Sequence, residues 1–170
     1  SILRTSDENS KIIFIPTPSN PTANNFDLEA IELITQKFPG IVVVDEAYAE
    51  FSSNSSVISW LLKYPNLIVC QTFSKAQGMA GARLGMAFAH RDFINFLNRI
   101  KAPYNINSLT INAALKQLKE QDRVKKQVEL LLTERKRLEE AFSEIPFIEK
   151  CFKELADYTN AYDQKMQMKR

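Results

Sequence analysis

The sequence is poor in glycine, cysteine and long apolar runs, and each shortage excludes a class of protein. Only four glycines and two cysteines occur in 170 residues. Cys70 and Cys151 lack the spacing of a disulfide framework or of metal ligands, which favours free buried thiols. No apolar run approaches the roughly 20 residues that cross a bilayer. Residues 1–11 lack the apolar core of a signal peptide, so a reducing cytoplasm fits best.

The charge also lacks a dominant sign. The formal net charge is +2, and acidic and basic residues are interleaved along the chain. This balance gives no support for a nucleic acid or a membrane surface as partner. Hydrophobic residues make up 45% and charged residues 25%, which is ordinary globular composition, and the length suits one sizeable domain.

The first part of the chain alternates apolar runs with amphipathic stretches. Asp27 begins a helical pattern that Pro39 and Gly40 end. A further helical stretch carries Val57, Leu61 and Leu62 and ends before Pro65, and another lies at residues 91–100. Strands are predicted for the apolar runs at 11–15, 41–45, 67–71 and 85–89, and the first two are expected to be buried. This rhythm predicts an α/β fold, with a mostly parallel sheet flanked by helices.

The character of the sequence changes beyond Pro103. Residues 108–143 carry a helical pattern, whose charge runs are most simply solvated helix faces. We therefore divide the chain into an α/β domain at 1–107, a helical segment at 108–152 and an atypical tail at 153–170. The tail has no periodicity and few large aliphatic residues, so the prediction for it is disorder or poor packing.

Polar clusters follow three of the predicted strands. Because ligands of a parallel α/β sheet bind outside the carboxyl ends of its strands, these clusters are expected to converge on one edge. They comprise Asn20 after the first strand, Asp45 and Tyr48 after the second, and Thr72, Ser74 and Lys75 after the third.

Each cluster by itself has an ordinary structural explanation. Asn20 suits a turn in a proline-rich loop, and Asp45 suits a cap at a strand end. A Ser-Lys pair near glycines is commonly a surface loop. The glycine-rich segment GMAGARLG (78–85) lacks the spacings G-x-G-x-x-G and G-x-x-x-x-G-K-[ST] of nucleotide-binding loops. These explanations do not account for all three clusters occurring together in this order.

Together the clusters match the requirements of pyridoxal phosphate. This cofactor needs a lysine for a Schiff base and a carboxylate that keeps the ring nitrogen protonated. Lys75 suits the first role and can also move a proton, and Asp45 suits the second. The hydroxyls of Thr72 and Ser74 and the guanidinium of Arg83 suit the phosphate.

Three segments resemble the fold-type I aminotransferases, which use pyridoxal phosphate. TFSKAQGMAGARLG (72–85) is similar to the lysine motif of that family. VVVDEAYAEF (42–51) resembles its strand with the pyridinium aspartate, and SNPTA (19–23) resembles its Asn-Pro-Thr-Gly loop. The resemblance covers most of residues 10–150. It implies cofactor contacts by Asn20, Asp45, Tyr48, Thr72, Ser74, Lys75 and Arg83.

Within this family the sequence resembles most closely that of the histidinol-phosphate aminotransferases. The segments are DEAYAEF, SKAQGMAGARLGMAFA and IKAPYNINSLT. The resemblance implies transfer of an amino group from histidinol phosphate to 2-oxoglutarate in histidine biosynthesis, by a homodimer whose active site uses both subunits. Other readings remain open: a threonine-phosphate decarboxylase-like or other class I/II enzyme, a catalytically dead cofactor-binding remnant or interaction module, and a plain nucleotide-binding α/β domain.

The chain departs from the family pattern inside the motifs and at both ends. Ala23 stands where glycine is usual, and Gln77 where an aromatic is common. The resemblance implies that this sequence does not include the family's N-terminal arm and phosphate-anchoring loop, and it stops near Phe152, before the small domain. We expect part of a large domain, truncated at both ends, with weak or no transamination alone. We also hypothesise that residues from about Lys153 onward are frameshifted translation, which the nucleotide sequence tests.

Overall fold

A four-stranded sheet, whose strand order follows chain order, organises the fold. The computed structural model describes residues 2–22 and 24–146. The expectations for Ala23, Cys151 and the tail therefore lie outside the described residues. The strands are β1 (Ile12–Pro16), β2 (Ile41–Asp45), β3 (Leu67–Thr72) and β4 (Gly85–Ala89). The helices are α1 (Ile2–Thr5), α2 (Leu28–Lys37), α3 (Arg91–Ile100), α4 (Ser108–Gln117) and α5 (Gln121–Ser143), with short 3-10 segments at Ala49–Phe51, Val57–Leu62 and Ala80–Ala82.

The sheet is mixed, and its one antiparallel pair has a local cause. β1, β2 and β3 run parallel, whereas β4 runs antiparallel to β3. A parallel return requires a long crossover, usually with an α-helix. The connection at 73–84 contains only a short 3-10 turn, so the chain reverses direction there. The predicted α/β class with a mostly parallel sheet is confirmed.

The main core lies between α2 and one face of the sheet. Asp27 begins the helix as predicted, because its carboxylate accepts a hydrogen bond from Glu29 N at 3.2 Å. Ile31 on this helix is buried. The central strand β2 is buried on both faces, as its continuous β-branched run predicts. The side chains that meet in this core from the three parallel strands are Ile15, Val42, Val44, Leu67 and Val69.

The outer face of β1 corrects the prediction of a fully buried strand. Phe14 is 70% exposed and Ile12 is 49% exposed, whereas Ile15 on the opposite face is 1% exposed. An apolar run shows that both faces can be buried, but not that the same chain covers both. Within the described residues, this side of the strand is left open.

The structure corrects one of the helical predictions and adds detail to another. The stretch Val57–Leu62 is a 3-10 helix, and Leu62 is fully exposed instead of packing inward. The pattern across residues 108–143 is two helices, because a tight turn at 118–120 separates α4 from α5. None of the helices within 2–22 and 24–146 has both the length and the apolar character that a membrane span requires.

Gly40 fills a position at the start of β2 that has no room for a side chain. A Cβ there would lie 2.3 Å from Lys11 O and 2.7 Å from a ring carbon of Phe38. Lys11 O cannot move away freely, because it accepts a hydrogen bond from Ile41 N at 2.9 Å. We expect Gly40→Ala to lower the free energy of unfolding by about 2–3 kcal/mol, measured by urea denaturation.

Gly81→Ala provides the matched control for this substitution. A Cβ at Gly81 would meet no atom within 4 Å, and its φ does not fall in the left-handed region. This variant should be as stable as the wild type or slightly more so. An equal loss of stability in both variants would contradict the steric explanation at Gly40.

Candidate active site

The carboxyl ends of the three parallel strands lie side by side. Pro16 at the end of β1 pairs with Asp45 at the end of β2, and Asp45 pairs with Cys70 in β3. The segments that follow these strands therefore start from one edge of the sheet. This is the edge at which open α/β sheets bind their ligands.

Three of the predicted residues meet at this edge, one from each segment. Asn20 Nδ2, in the loop after β1, donates a hydrogen bond to the Tyr48 hydroxyl at 3.1 Å. Lys75 Nζ lies over the ring of Tyr48, 4.8 Å from its centroid. Tyr48 therefore connects the segments after β1 and β3.

The aromatic ring in this group is held from behind by the long helix α5. Tyr48 and Ala76 are buried in a second cluster with Phe51, Val124 and Val128. This packing fixes the ring and also the backbone next to Lys75. Within the described residues, Lys75 Nζ makes no hydrogen bond and no ion pair, so the amine is held in place while its donors stay available.

Asp45 lies at the same edge with an exposed carboxylate. The carboxylate accepts a hydrogen bond from Ala47 N at 3.0 Å. No ion pair joins Asp45 to Lys75 in the described part of the chain. The site therefore offers a carboxylate and an amine that do not neutralise each other by direct contact.

The pKa of Cys70, on the neighbouring strand, depends on burial and on the charge of Asp45. Burial raises the pKa of the Cys70 thiol, and the negative charge of Asp45 raises this pKa further. The structure shows Cys70 as a partly buried free thiol, as predicted.

Asp45→Asn should therefore speed the alkylation of Cys70 by iodoacetamide near neutral pH. Removing the like charge lowers the thiol pKa, so a larger fraction is thiolate, which is the reactive form. The rate is measured in a Cys151→Ser background, where Cys70 is the one remaining cysteine. Glu29→Gln, which changes a carboxylate on α2, is the control and should leave the rate unchanged. A rate that Asp45→Asn does not change would contradict the electrostatic coupling.

The loop after β3 uses one of its two predicted hydroxyls for its own structure. The Thr72 hydroxyl donates to Leu84 O at 3.2 Å and accepts from Ser74 N at 3.1 Å. Gly78, with a φ of 67°, turns the loop, and its N donates to Lys75 O at 2.9 Å. Among the described residues, the Ser74 hydroxyl makes no hydrogen bond and is the one open to a ligand.

The guanidinium of Arg83 makes its hydrogen bond within its own turn. Its Nη1 donates to Ala80 O at 3.0 Å within the same turn, and the side chain is exposed. No hydrogen bond or ion pair connects it to the other six residues within 2–22 and 24–146. Its φ of 52° places it in the left-handed region, which costs a residue with a Cβ on the order of 1 kcal/mol.

The sequence analysis missed a buried acid next to this edge. Glu46 follows Asp45 directly, is 3% exposed, and accepts hydrogen bonds from Ser56, Val57 and Gln71. The pattern DEAY placed two acids in succession at a strand end, and successive residues there face opposite ways. That alternation was the available signal that one acid points inward. No group of three or more His, Cys, Asp or Glu side chains within the described ranges is arranged to hold a metal.

The sequence matches a known family over most of its length. The model of the family described as aminotransferase class I and II matches residues 1–158. A histidinol-phosphate aminotransferase of Flavobacterium johnsoniae is 43% identical over 157 residues, which are 92% of this chain and 45% of that protein. One from Parabacteroides distasonis is 50% identical over 147 residues, 86% of this chain and 43% of that protein. The chain thus spans less than half the length of these relatives.

Solved structures give the same relationship. The histidinol-phosphate aminotransferase of Sinorhizobium meliloti, in complex with pyridoxal-5'-phosphate, has a TM-score of 0.72 and 29% identity, covering 81% of this chain and 38% of that one. The L-threonine-O-3-phosphate decarboxylase of Porphyromonas gingivalis has a TM-score of 0.72 and 21% identity, covering 84% and 45%, and shares the fold. This chain belongs to the family of class I and II aminotransferases.

Proposed function

We propose that this chain is part of a pyridoxal-phosphate-dependent aminotransferase of the histidinol-phosphate type. The observation that carries the proposal is the group formed by Asn20, Tyr48 and Lys75 at the carboxyl edge of the sheet. It presents a lysine amine without a hydrogen bond among the described residues, held against an aromatic ring. The family and the relatives at 43–50% identity support the same reaction class.

The donor and acceptor groups at this edge fit pyridoxal phosphate. Asp45 would hold the proton on the ring nitrogen, because its carboxylate is exposed and has no cationic partner among the described residues. Asn20 and Tyr48, already hydrogen-bonded to each other, would bind the ring oxygen. The phosphate would be bound by the remaining predicted residues, with Ser74 the most available, followed by Thr72 and Arg83. When bound, the cofactor supplies an electron sink for bond breaking at the α-carbon of an amino acid.

The protein's own residues would carry the proton and fix the geometry. Lys75 Nζ is the base that takes a proton from the α-carbon and returns one later in the reaction. Tyr48 orients this amine by contact with its ring face, and α5 holds Tyr48 from behind. Asp45 contributes a fixed negative charge at the end of β2, which no step needs to protonate.

The substrates and the assembly belong to the same proposal. The amino donor would be histidinol phosphate, the acceptor 2-oxoglutarate, and the active enzyme a cytoplasmic homodimer. The relatives that support this assignment are more than twice as long as the matched region. We therefore propose that this chain alone binds cofactor but transaminates weakly or not at all.

Cofactor binding by Lys75 tests the proposal directly. Mixing the protein with pyridoxal phosphate should produce a visible absorption band, and borohydride reduction should fix the cofactor to Lys75, located by mass spectrometry. Lys75→Ala should lose the band and the attachment at position 75, because Lys75 supplies the amine of the proposed site. Lys125→Ala, at an exposed position of α5, is the control and should keep them. A Lys75→Ala variant with an unchanged band would show that the site is assigned wrongly.

An assay for glutamate separates an enzyme from a cofactor-binding remnant. Production of glutamate from 2-oxoglutarate with histidinol phosphate as donor supports the full proposal. Cofactor attachment without glutamate, even when the missing family segments are supplied on a longer chain, indicates a remnant.

A further inference from the structure

Glu46 is a buried acid without a cation in the described part of the chain. It is 3% exposed, and its carboxylate is stabilised by three neutral donors. Carboxylates are rarely buried to this degree unless they are paired, because removing the charge from water costs several kcal/mol. We therefore expect the buried carboxylate of Glu46 to have a role other than packing.

The three donors lie on two different elements. On one side, Ser56 Oγ and Val57 N donate at 2.7 and 2.8 Å, and both belong to the start of the 3-10 helix Val57–Leu62. On the other side, Gln71 Nε2 donates at 2.9 Å from strand β3. The carboxylate at the end of β2 thus bridges the 3-10 helix and strand β3, which comes next in the chain.

The hydrogen bond between Glu46 and Gln71 lies next to the strand ends that carry the proposed cofactor site. Glu46 follows Asp45, and Glu46 N donates to Cys70 O at 2.8 Å, which extends the pairing of β2 with β3 by one residue. Gln71 precedes Thr72, whose hydroxyl accepts a hydrogen bond from Ser74 N and so holds the loop that carries Lys75. The Glu46–Gln71 bond is therefore a side-chain connection between the strand end that carries Asp45 and the strand end that leads to Lys75.

We propose that Glu46 is a positioning residue for the cofactor site, acting through Gln71 to hold the end of β3 against the end of β2. This inference rests on the proposed function, because the spacing it fixes is the one between Asp45 and Lys75. A cofactor that must contact a carboxylate and an amine at once binds tightly only if both are held in place beforehand.

A purely structural role predicts a different pattern. If Glu46 served only to cap the 3-10 helix, the bonds from Ser56 and Val57 would matter and the bond from Gln71 would not. Removing Ser56 would then be the more damaging change, and its effects would stay near residues 56–62. The two sides of the bridge can be broken separately, so the two roles can be separated.

Gln71→Met and Ser56→Ala make this comparison. Methionine keeps the length of the glutamine side chain and removes its donor, and alanine removes the hydroxyl of Ser56. Two quantities are measured: the Kd for pyridoxal phosphate by visible absorption, and amide hydrogen exchange of the protein without cofactor. Gln71→Asn, which keeps the amide but is too short to reach Glu46, is the second variant if Gln71→Met does not fold.

Gln71→Met should raise the Kd by about tenfold, the effect expected for loss of one hydrogen bond to a charged group. It should also speed exchange of the amides at 72–79, which include Gly78 N bonded to Lys75 O. Ser56→Ala should change the Kd less than about twofold and speed exchange at 56–62.

The outcomes distinguish this inference from the proposed function. If Gln71→Met leaves the Kd and the exchange at 72–79 unchanged, or if Gln71→Met and Ser56→Ala raise the Kd equally, the positioning role is overturned. If the wild type takes up no cofactor, the proposed function fails. Hydrogen exchange then separates the two roles of Glu46. Faster exchange at 72–79 in Gln71→Met indicates that Glu46 holds the end of β3, and unchanged exchange there indicates that Glu46 only caps the 3-10 helix.

Discussion

Asp45→Asn is expected to weaken pyridoxal phosphate binding by about 10- to 100-fold, with almost no effect on the stability of the protein without cofactor. Within the described residues, the carboxylate accepts one hydrogen bond, from Ala47 N at 3.0 Å. The carbonyl oxygen of asparagine can accept the same bond, so the strand end should keep its structure. The loss is one charge-assisted hydrogen bond to the cofactor, worth about 1.5–3 kcal/mol.

Titration with pyridoxal phosphate, followed by the visible band, measures this effect. Asp27→Asn is the matched control, because Asp27 also has an exposed carboxylate that accepts one backbone bond, from Glu29 N at 3.2 Å. The control should bind cofactor like the wild type. Equal affinities for the wild type and Asp45→Asn would mean that another group meets the ring nitrogen, and the role of Asp45 would have to be abandoned.

Those features of the fold that depend on neighbours in sequence could be predicted. The strand β2 is a continuous β-branched run, which is typical of a strand buried on both faces. Asp27 caps α2 because its side chain reaches a backbone amide two residues away, which is a local interaction. The convergence of Asn20, Tyr48 and Lys75 followed from one topological rule about parallel strands and their carboxyl ends.

Other features of the fold depend on contacts between residues distant in sequence. The local pattern of residues does not predict them. The exposed side chain of Phe14 lies on a face whose cover the described chain does not supply, although its apolar run looks the same as that of β2. The turn at 118–120, which separates α4 from α5, contains no proline or glycine to signal it. Arg83 was predicted from its place in a motif, whereas its actual direction depends on a left-handed backbone in its own turn.

Glu46 shows this difference most clearly within the site. Its partners Ser56 and Gln71 lie 10 and 25 residues away in sequence. Alternation along a strand can indicate that one of two successive acids points inward, but it cannot identify the donors that make an inward carboxylate tolerable. The carboxylate of Asp45 at the strand end could therefore be predicted, and the buried support beside it could not.

Glu46→Ala should lower the free energy of unfolding by about 2–4 kcal/mol. The substitution leaves a cavity and removes the acceptor from Val57 N, whose residue is fully buried. A buried amide without an acceptor costs about 1–3 kcal/mol by itself. Urea denaturation of the cofactor-free protein measures the loss, and Glu129→Ala on the exposed side of α5 should stay within about 0.5 kcal/mol of the wild type.

Glu46→Gln tests whether the charge or only the shape of this side chain is required. The amide oxygen can still accept from Val57 N, and the Ser56 hydroxyl can rotate to accept from the new amino group. The amino group would then face Gln71 Nε2, so Gln71 must turn its own amide oxygen inward to restore the bond. Where that rotation is possible, the loss should be less than half of that of Glu46→Ala. A loss as large as in the alanine variant would show that three donors require a carboxylate, and hence that the buried charge itself maintains the connection between β2 and β3.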